Sequence, residues 1–143
     1  MVDDMPTLGM DEATTQRVLV SAGWSIDHRM AGSGFIGGPP GQPPREVDTS
    51  NFSATRAGWT LHATFDWSHL SALTRTSPPL ADEASVKAAL ADIDKRLGAR
   101  TWSQPDFGPD RDLAMWQAPA RIVRASVRHD ATGWLLTESW TKP

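Results

Sequence analysis

Apolar and polar residues alternate strictly in one short stretch of the chain, GWTLHATFDW at residues 58–67. A period of two is typical of a β-strand that buries one face and exposes the other. We therefore predict a strand here, whose apolar face consists of Trp59, Leu61, Ala63, Phe65 and Trp67. Together with Trp134 and Trp140, the tryptophans at 59 and 67 are expected to belong to the core.

Two other segments carry the signals of helices. Residues 10–22 (MDEATTQRVLVSA) have acids in their first turn and are followed by Gly23, a residue that commonly ends a helix. Residues 81–98 (ADEASVKAALADIDKRLG) show the same signals more strongly, ending in Gly98. Their apolar residues recur at helical spacing and predict one buried stripe, formed by Val86, Leu90, Ile93 and Leu97.

The segment RIVRASVRHDATGWLLTESW at residues 121–140 predicts a β-hairpin. With the turn at residues 130–133, the pairs facing each other are His129–Trp134, Val127–Leu136, Ala125–Glu138 and Val123–Trp140. The register places one carboxylate, Glu138, in an otherwise apolar row. A buried, unpaired carboxylate costs several kcal/mol, so Glu138 must be paired with an arginine such as Arg121, lie near the strand end, or line a pocket.

Glycine and proline dominate residues 31–46, which we expect to form a flexible, exposed loop. The same stretch contains GSGFIG, which matches the spacing of a dinucleotide-binding loop. That motif requires a helix directly after the glycines, and the prolines that follow prevent one. The match therefore does not indicate nucleotide binding.

Together these elements predict one α+β domain spanning residues 1–143, in the order α-β-β-α-β-β-β. We expect a mostly antiparallel sheet with two helices packed on one face. The length suits a single domain with its own core. No internal sequence repeat is evident.

The composition argues against several functions. A net charge of −3 disfavours nucleic-acid binding, because no basic excess is present to neutralise phosphates. The chain has no cysteine, no apolar run of membrane-spanning length and no secretion signal at residues 1–12. We therefore expect a cytoplasmic protein that does not bind membranes. No metal-binding or cofactor motif occurs, so no cofactor is expected.

Two sets of residues remain as candidate sites. The first is an acidic, aromatic segment suited to a protein partner, with Trp102, Asp106, Asp110, Asp112 and Trp116 as its contacts. The second is an alternative catalytic set in which Glu138 would act with His62 or His129. The first set favours a binding protein, and the second favours an enzyme.

A helix followed by GW, a GWTL strand, a helix ending in LG and a final long hairpin resemble the small α+β immunity proteins of bacterial polymorphic-toxin systems. The resemblance implies a non-catalytic protein that binds a toxin domain and neutralises it, and the acidity of this chain would suit a basic partner. Two alternatives stay open. One is a small-molecule-binding protein or enzyme with a cone-shaped pocket around Glu138, and the other is a secretion or assembly chaperone.

Overall fold

The computed structural model describes residues 5–36, 40–41, 43, 45–104, 106–107, 110–118 and 120–143. Within these residues the chain forms two helices and one antiparallel sheet of eight strands, in the order β1-β2-β3-β4-β8-β7-β6-β5. This confirms a mostly antiparallel sheet accompanied by two helices. The elements are α1 (Glu12–Ser21), β1 (Ser25–Ile36), β2 (Arg45–Arg56), β3 (Trp59–Asp66), β4 (His69–Thr76), α2 (Glu83–Leu97), β5 (Trp102–Ser103), β6 (Asp110–Ala118), β7 (Arg121–Asp130) and β8 (Gly133–Thr141).

The element order repeats a unit of one helix followed by four strands. In the sheet the two units meet at their last strands, β4 and β8, which pair antiparallel. The segment before each helix also pairs with the last strand of its own unit, through the bridges Asp11–His69 and Leu80–Trp134. The two halves are therefore equivalent in topology, although the sequence shows no repeat.

Both helices also begin in the same way, at the glutamate of the sequences DEAT (residues 11–14) and DEAS (residues 82–85). Asp11 accepts a hydrogen bond from the Thr14 backbone N–H at 2.7 Å, and Asp82 accepts one from the Ser85 backbone N–H at 2.8 Å. Each aspartate thereby satisfies an N–H group that the first helical turn leaves unpaired. These bonds favour the charged carboxylate and lower the pKa of Asp82 and Asp11 below the ordinary value.

The elements with strong periodicity occur where they were predicted. The β7–β8 hairpin has the predicted register, with His129 opposite Trp134 and Ala125 opposite Glu138. Strand β3 and both helices are also confirmed, and the α2 stripe is buried at Val86, Leu90 and Ile93.

The predicted loop at residues 31–46 requires correction at both ends. Strand β1 extends to Ile36 and β2 begins at Arg45, so the connection is shorter than expected. Gly32 lies opposite Thr49 and Gly34 opposite Val47 in β1, which pairs with β2 alone among the strands that the structure describes. Residues 37–39, 42 and 44 of the predicted loop lie outside the described residues.

One face of the sheet, here called the buried face, carries the core. A row of directly opposed residues crosses six strands and is buried throughout: Phe52, Ala63, Leu73, Trp140, Val123 and Trp116. The next row on this face contains Ala54, Leu61, Arg75, Glu138, Ala125 and Ala114. Arg75 and Glu138 thus face each other within an apolar row.

The tryptophans are not all in this core. Trp67 is 55% exposed and lies in the β3–β4 turn with a φ of 52°, which corrects its predicted place on the apolar strand face. The turn reverses the chain directly after Asp66, so the alternation no longer dictates where the next side chain points. Trp140 is buried, whereas Trp59 and Trp134 are partly buried and pack against the core.

Side-chain contacts connect each helix to the sheet. In α2, Asp94 accepts a hydrogen bond from Trp116 Nε1 at 2.9 Å. In α1, Glu12 accepts one from Ser50 Oγ at 3.3 Å and forms an ion pair with Arg29 of β1. Neither helix within the described residues is long and apolar enough to cross a membrane.

Candidate functional site

Glu138 is buried, with 2% of its side chain exposed, and both of its carboxylate oxygens have partners. Oε2 accepts a hydrogen bond from Arg75 Nε at 2.6 Å and a longer one from Arg96 Nη2 at 3.5 Å. Oε1 accepts one from Trp140 Nε1 at 3.0 Å. Two cations and an indole N–H therefore compensate the cost of burying the charge.

The arginine partners differ from the one suggested by the sequence. Arg75 comes from β4 and Arg96 from the last turn of α2, at sequence separations of 63 and 42 residues from Glu138. Arg121 instead lies over the ring of Trp140, with Cζ 4.1 Å from the ring centroid. This cation–π contact holds the ring of Trp140, which in turn donates a hydrogen bond to Glu138.

The structure does not bring the two candidate histidines to Glu138. His62 lies on the opposite face of the sheet, in the row of Ser53, Thr74 and Ser139, and its Nδ1 is 3.2 Å from Ser53 Oγ. His129 stacks on Trp134 at the hairpin end, with centroids 4.1 Å apart. Trp134 is four residues from Glu138, about 13 Å along an extended strand.

The face opposite the core, here called the exposed face, is polar. No described side chain on it is buried. One row across five strands consists of hydroxyl side chains: Thr55, Thr60, Thr76, Thr137 and Ser126. In that row Thr76 and Thr137 share a hydrogen bond of 3.2 Å. The row ends at Asp112 of β6.

Trp102, from the predicted partner segment, lies at one end of this exposed face. It is 44% exposed, and its register places it beside Met115 and Arg124. These residues border a surface depression of about 260 Å³, which is lined by Trp102, Asp112, Ala114, Met115 and Arg124. An aromatic ring, a thioether and two opposite charges therefore meet at one accessible place.

A second depression of about 300 Å³ lies on the same face, between β6 and β4. It is lined by Thr76, Asp110, Ser126, Val127, Arg128, Leu135 and Thr137. Three of the predicted contact residues therefore line these depressions: Trp102, Asp112 and Asp110. Neither aspartate forms an ion pair with another residue in the described part of the chain.

The remaining members of the predicted partner segment lie apart from the two depressions. Asp106 is exposed, and its backbone oxygen accepts a hydrogen bond from Arg111 Nη1 at 3.4 Å. Trp116 corrects the prediction, because it is fully buried and its ring belongs to the core row. A partner cannot contact Trp116 directly. Its neighbour in sequence, Met115, is the residue that reaches the exposed face.

Among the described residues, no group of three or more histidine, aspartate or glutamate side chains is arranged to hold a metal ion. No family model matches the chain, and neither the curated proteins nor the solved structures contain a match to it.

Proposed function

We propose that this chain is a non-catalytic binding protein of the immunity type, which binds a toxin domain and neutralises it. The partner would dock on the exposed face at the end formed by β5, β6, β7 and β8. The observation that carries this proposal is the half-exposed Trp102 beside the carboxylate of Asp112. Tryptophan is enriched among the residues that dominate protein–protein binding energy.

The charges around Trp102 support a basic contact residue on the partner. Asp110 and Asp112 have no ion-pair partner among the described residues, so each can accept a hydrogen bond from a lysine or arginine without first breaking one. A cation next to Asp112 would also lie close to the face of the Trp102 ring. Arg124 and Arg128 border the same depressions and would pair with acids of the partner, which would fix its orientation.

We also propose that both helices cover the buried face, which leaves the exposed face to the partner. For α2, the support is the pair between Arg96 and Glu138. For α1, the support is the contact between Glu12 and Ser50, since Ser50 lies on the same face of β2 as the buried residues Phe52 and Ala54. We also propose a cytoplasmic location, which fits this role.

The catalytic alternative around Glu138 has less support. A general acid or base must reach its substrate within hydrogen-bonding distance, whereas both Glu138 oxygens already accept hydrogen bonds. His62 is on the other face of the sheet. The cluster is thus better explained as a structural ion pair.

The test is a search of the neighbouring genes for a toxin-like domain, followed by calorimetry of its binding to the full chain. Replacing a tryptophan at the centre of an interface by alanine costs 2 kcal/mol or more, about a 30-fold loss of affinity. We expect Trp102→Ala to show this loss. Trp67→Ala is the matched control, because Trp67 is even more exposed than Trp102 but lies in the β3–β4 turn, and β4 is four strands from β5.

Equal affinities for Trp102→Ala and the unaltered chain would exclude this surface as the main contact. Absence of any toxin-like neighbouring gene, together with a protein that purifies alone at native levels, would count against the immunity role itself.

A further inference from the structure

The cluster around Glu138 contains more positive than negative charge. Arg75 and Arg96 are 13% and 12% exposed, and both are directed at a single carboxylate that is 2% exposed. Arg121 adds a third guanidinium over Trp140. Glu138 can balance only one of the two charges of Arg75 and Arg96, and an uncompensated charge is costly where water is largely excluded.

The two arginines also retain hydrogen-bond donors. A guanidinium carries five N–H donors. Toward Glu138, Arg75 uses the N–H of its Nε and Arg96 uses one N–H of its Nη2. The other nitrogens of Arg75 and Arg96 bond to no residue that the structure describes. They are not among the buried nitrogens that lack a partner, so they reach solvent.

Other local features reduce the excess charge without removing it. Arg96 lies in the last turn of α2, where the helix dipole supplies roughly half a negative charge. The guanidinium of Arg75 lies 5.2 Å from the Trp59 ring centroid. Asp94 cannot contribute, because Arg100 and Trp116 already occupy its oxygens.

We propose that Arg75 and Arg96 form a binding site for an oxyanion, on the opposite side of the sheet from Trp102. The ligand class is a phosphate or carboxylate group, which matches the planar donor arrangement of a guanidinium. The two arginines are held in place by Glu138, so the anion would meet donors that are already oriented.

The test is thermal unfolding of the full chain in millimolar potassium phosphate, compared with potassium chloride at equal pH and ionic strength. A specific site gives a rise in melting temperature that continues with the logarithm of phosphate concentration once the dissociation constant is passed. The general stabilising effect of phosphate by exclusion from protein surfaces needs no particular arginine. We expect Arg96→Gln to weaken the apparent phosphate affinity at least ten-fold.

Arg124→Gln is the matched control, since it removes the same charge from the exposed face and should leave the phosphate affinity unchanged. Glu138→Gln gives an effect of opposite sign, because both guanidiniums then lack their carboxylate and should bind phosphate more tightly. A parallel series in acetate identifies the ligand. A response to acetate and phosphate indicates a carboxylate or phosphate ligand, and a response to phosphate alone indicates a phosphate-bearing one.

Two results would overturn the proposal. One is equal melting temperatures in phosphate and chloride for the unaltered chain. The other is a phosphate response that Arg96→Gln and Arg124→Gln retain or lose to the same extent, since that response would reflect overall charge.

Discussion

At the scale of single residues, Asp94 shows how this protein keeps a partly buried carboxylate charged. Burial raises its pKa, but hydrogen bonds from Arg100 at 3.0 and 3.1 Å and from Trp116 at 2.9 Å outweigh that effect. The pKa of Asp94 therefore lies below its ordinary value of 3.8. The same side chain joins α2 to a core tryptophan of β6.

This lowered pKa predicts a specific pH dependence of stability. A carboxylate whose pKa is lowered by folding stabilises the native state above its unfolded pKa, and loses that effect as the pH falls through the folded value. We expect Asp94→Asn to be less stable than the unaltered chain from pH 5 to pH 7. Below about pH 4 the difference should shrink. Urea unfolding at a series of pH values measures it.

Asp92→Asn is the control for that experiment, because it removes the same charge from the exposed side of the same helix. A stability difference for Asp94→Asn that stays constant down to pH 2 would show that the charged form is not the one stabilised.

At the scale of elements, the β7–β8 turn also contacts the segment before α2. Gly133 has a φ of 133°, and a Cβ atom added there would lie 2.7 Å from the Leu80 backbone oxygen. Leu80 and Trp134 exchange two backbone hydrogen bonds, at 2.8 and 2.9 Å. The glycine therefore allows the segment before α2 to approach β8.

We predict that Gly133→Ala destabilises the protein by more than Gly98→Ala does. Both positions have a positive φ, so both variants bear the strain of an alanine in a sparsely populated backbone region, roughly 1–3 kcal/mol. Only at residue 133 does the new methyl group also collide with the backbone. Denaturant unfolding of the two variants measures the difference. Equal losses would mean that the Leu80 segment moves aside without cost.

The elements with unbroken periodicity, namely β3, α2 and the final hairpin, were predicted correctly, and α1 was predicted from the signals at its two ends. Strand β4 was missed because a bulge at its start puts both Leu70 and Leu73 into the core, which breaks the alternation. Strand β2 was missed because its buried residues, Phe52 and Ala54, stand among small polar ones. Neither segment shows a clear period of two.

The candidate site was predicted in the same uneven way. The parity of the hairpin was enough to place Glu138 in the apolar row. Its partner Arg75 could not be found, because β4 and β8 pair across 63 residues and no local pattern encodes that register. Trp116 was misassigned because the bulge between Asp112 and Ala114 shifts which side chains of β6 face the core.

At the scale of the whole molecule, the two equivalent halves meet at β4 and β8, and the facing pair Arg75–Glu138 lies at this junction. Each of these strands is also paired with the segment that precedes a helix. At one end of the β4–β8 pair, the residues Ser77 and Leu80 that follow β4 continue the pairing along β8. At the other end of the pair, Thr141 lies opposite Ala72.

The segment before α1 lies next to the end of β8, since Gly9 and Met10 exchange hydrogen bonds with Leu70, two residues along β4 from Ala72. The end of β8 and the approach to α1 therefore occupy positions equivalent to those of the covalent connection from β4 to α2. The chain runs directly from β4 to α2, but no peptide bond joins β8 to the segment before α1. Backbone hydrogen bonds of the same kind surround both places.

A circular permutant should consequently fold. We expect a chain opened between Pro78 and Pro79, with Pro143 joined to Met5 by a short glycine–serine linker, to unfold cooperatively and to retain the circular dichroism of the unaltered protein. A permutant opened inside β7, between Ala125 and Ser126, is the comparison and should fail to fold. If both fail alike, the order of the halves along the chain matters as much as their arrangement in space. If only the second fails, either half can come first.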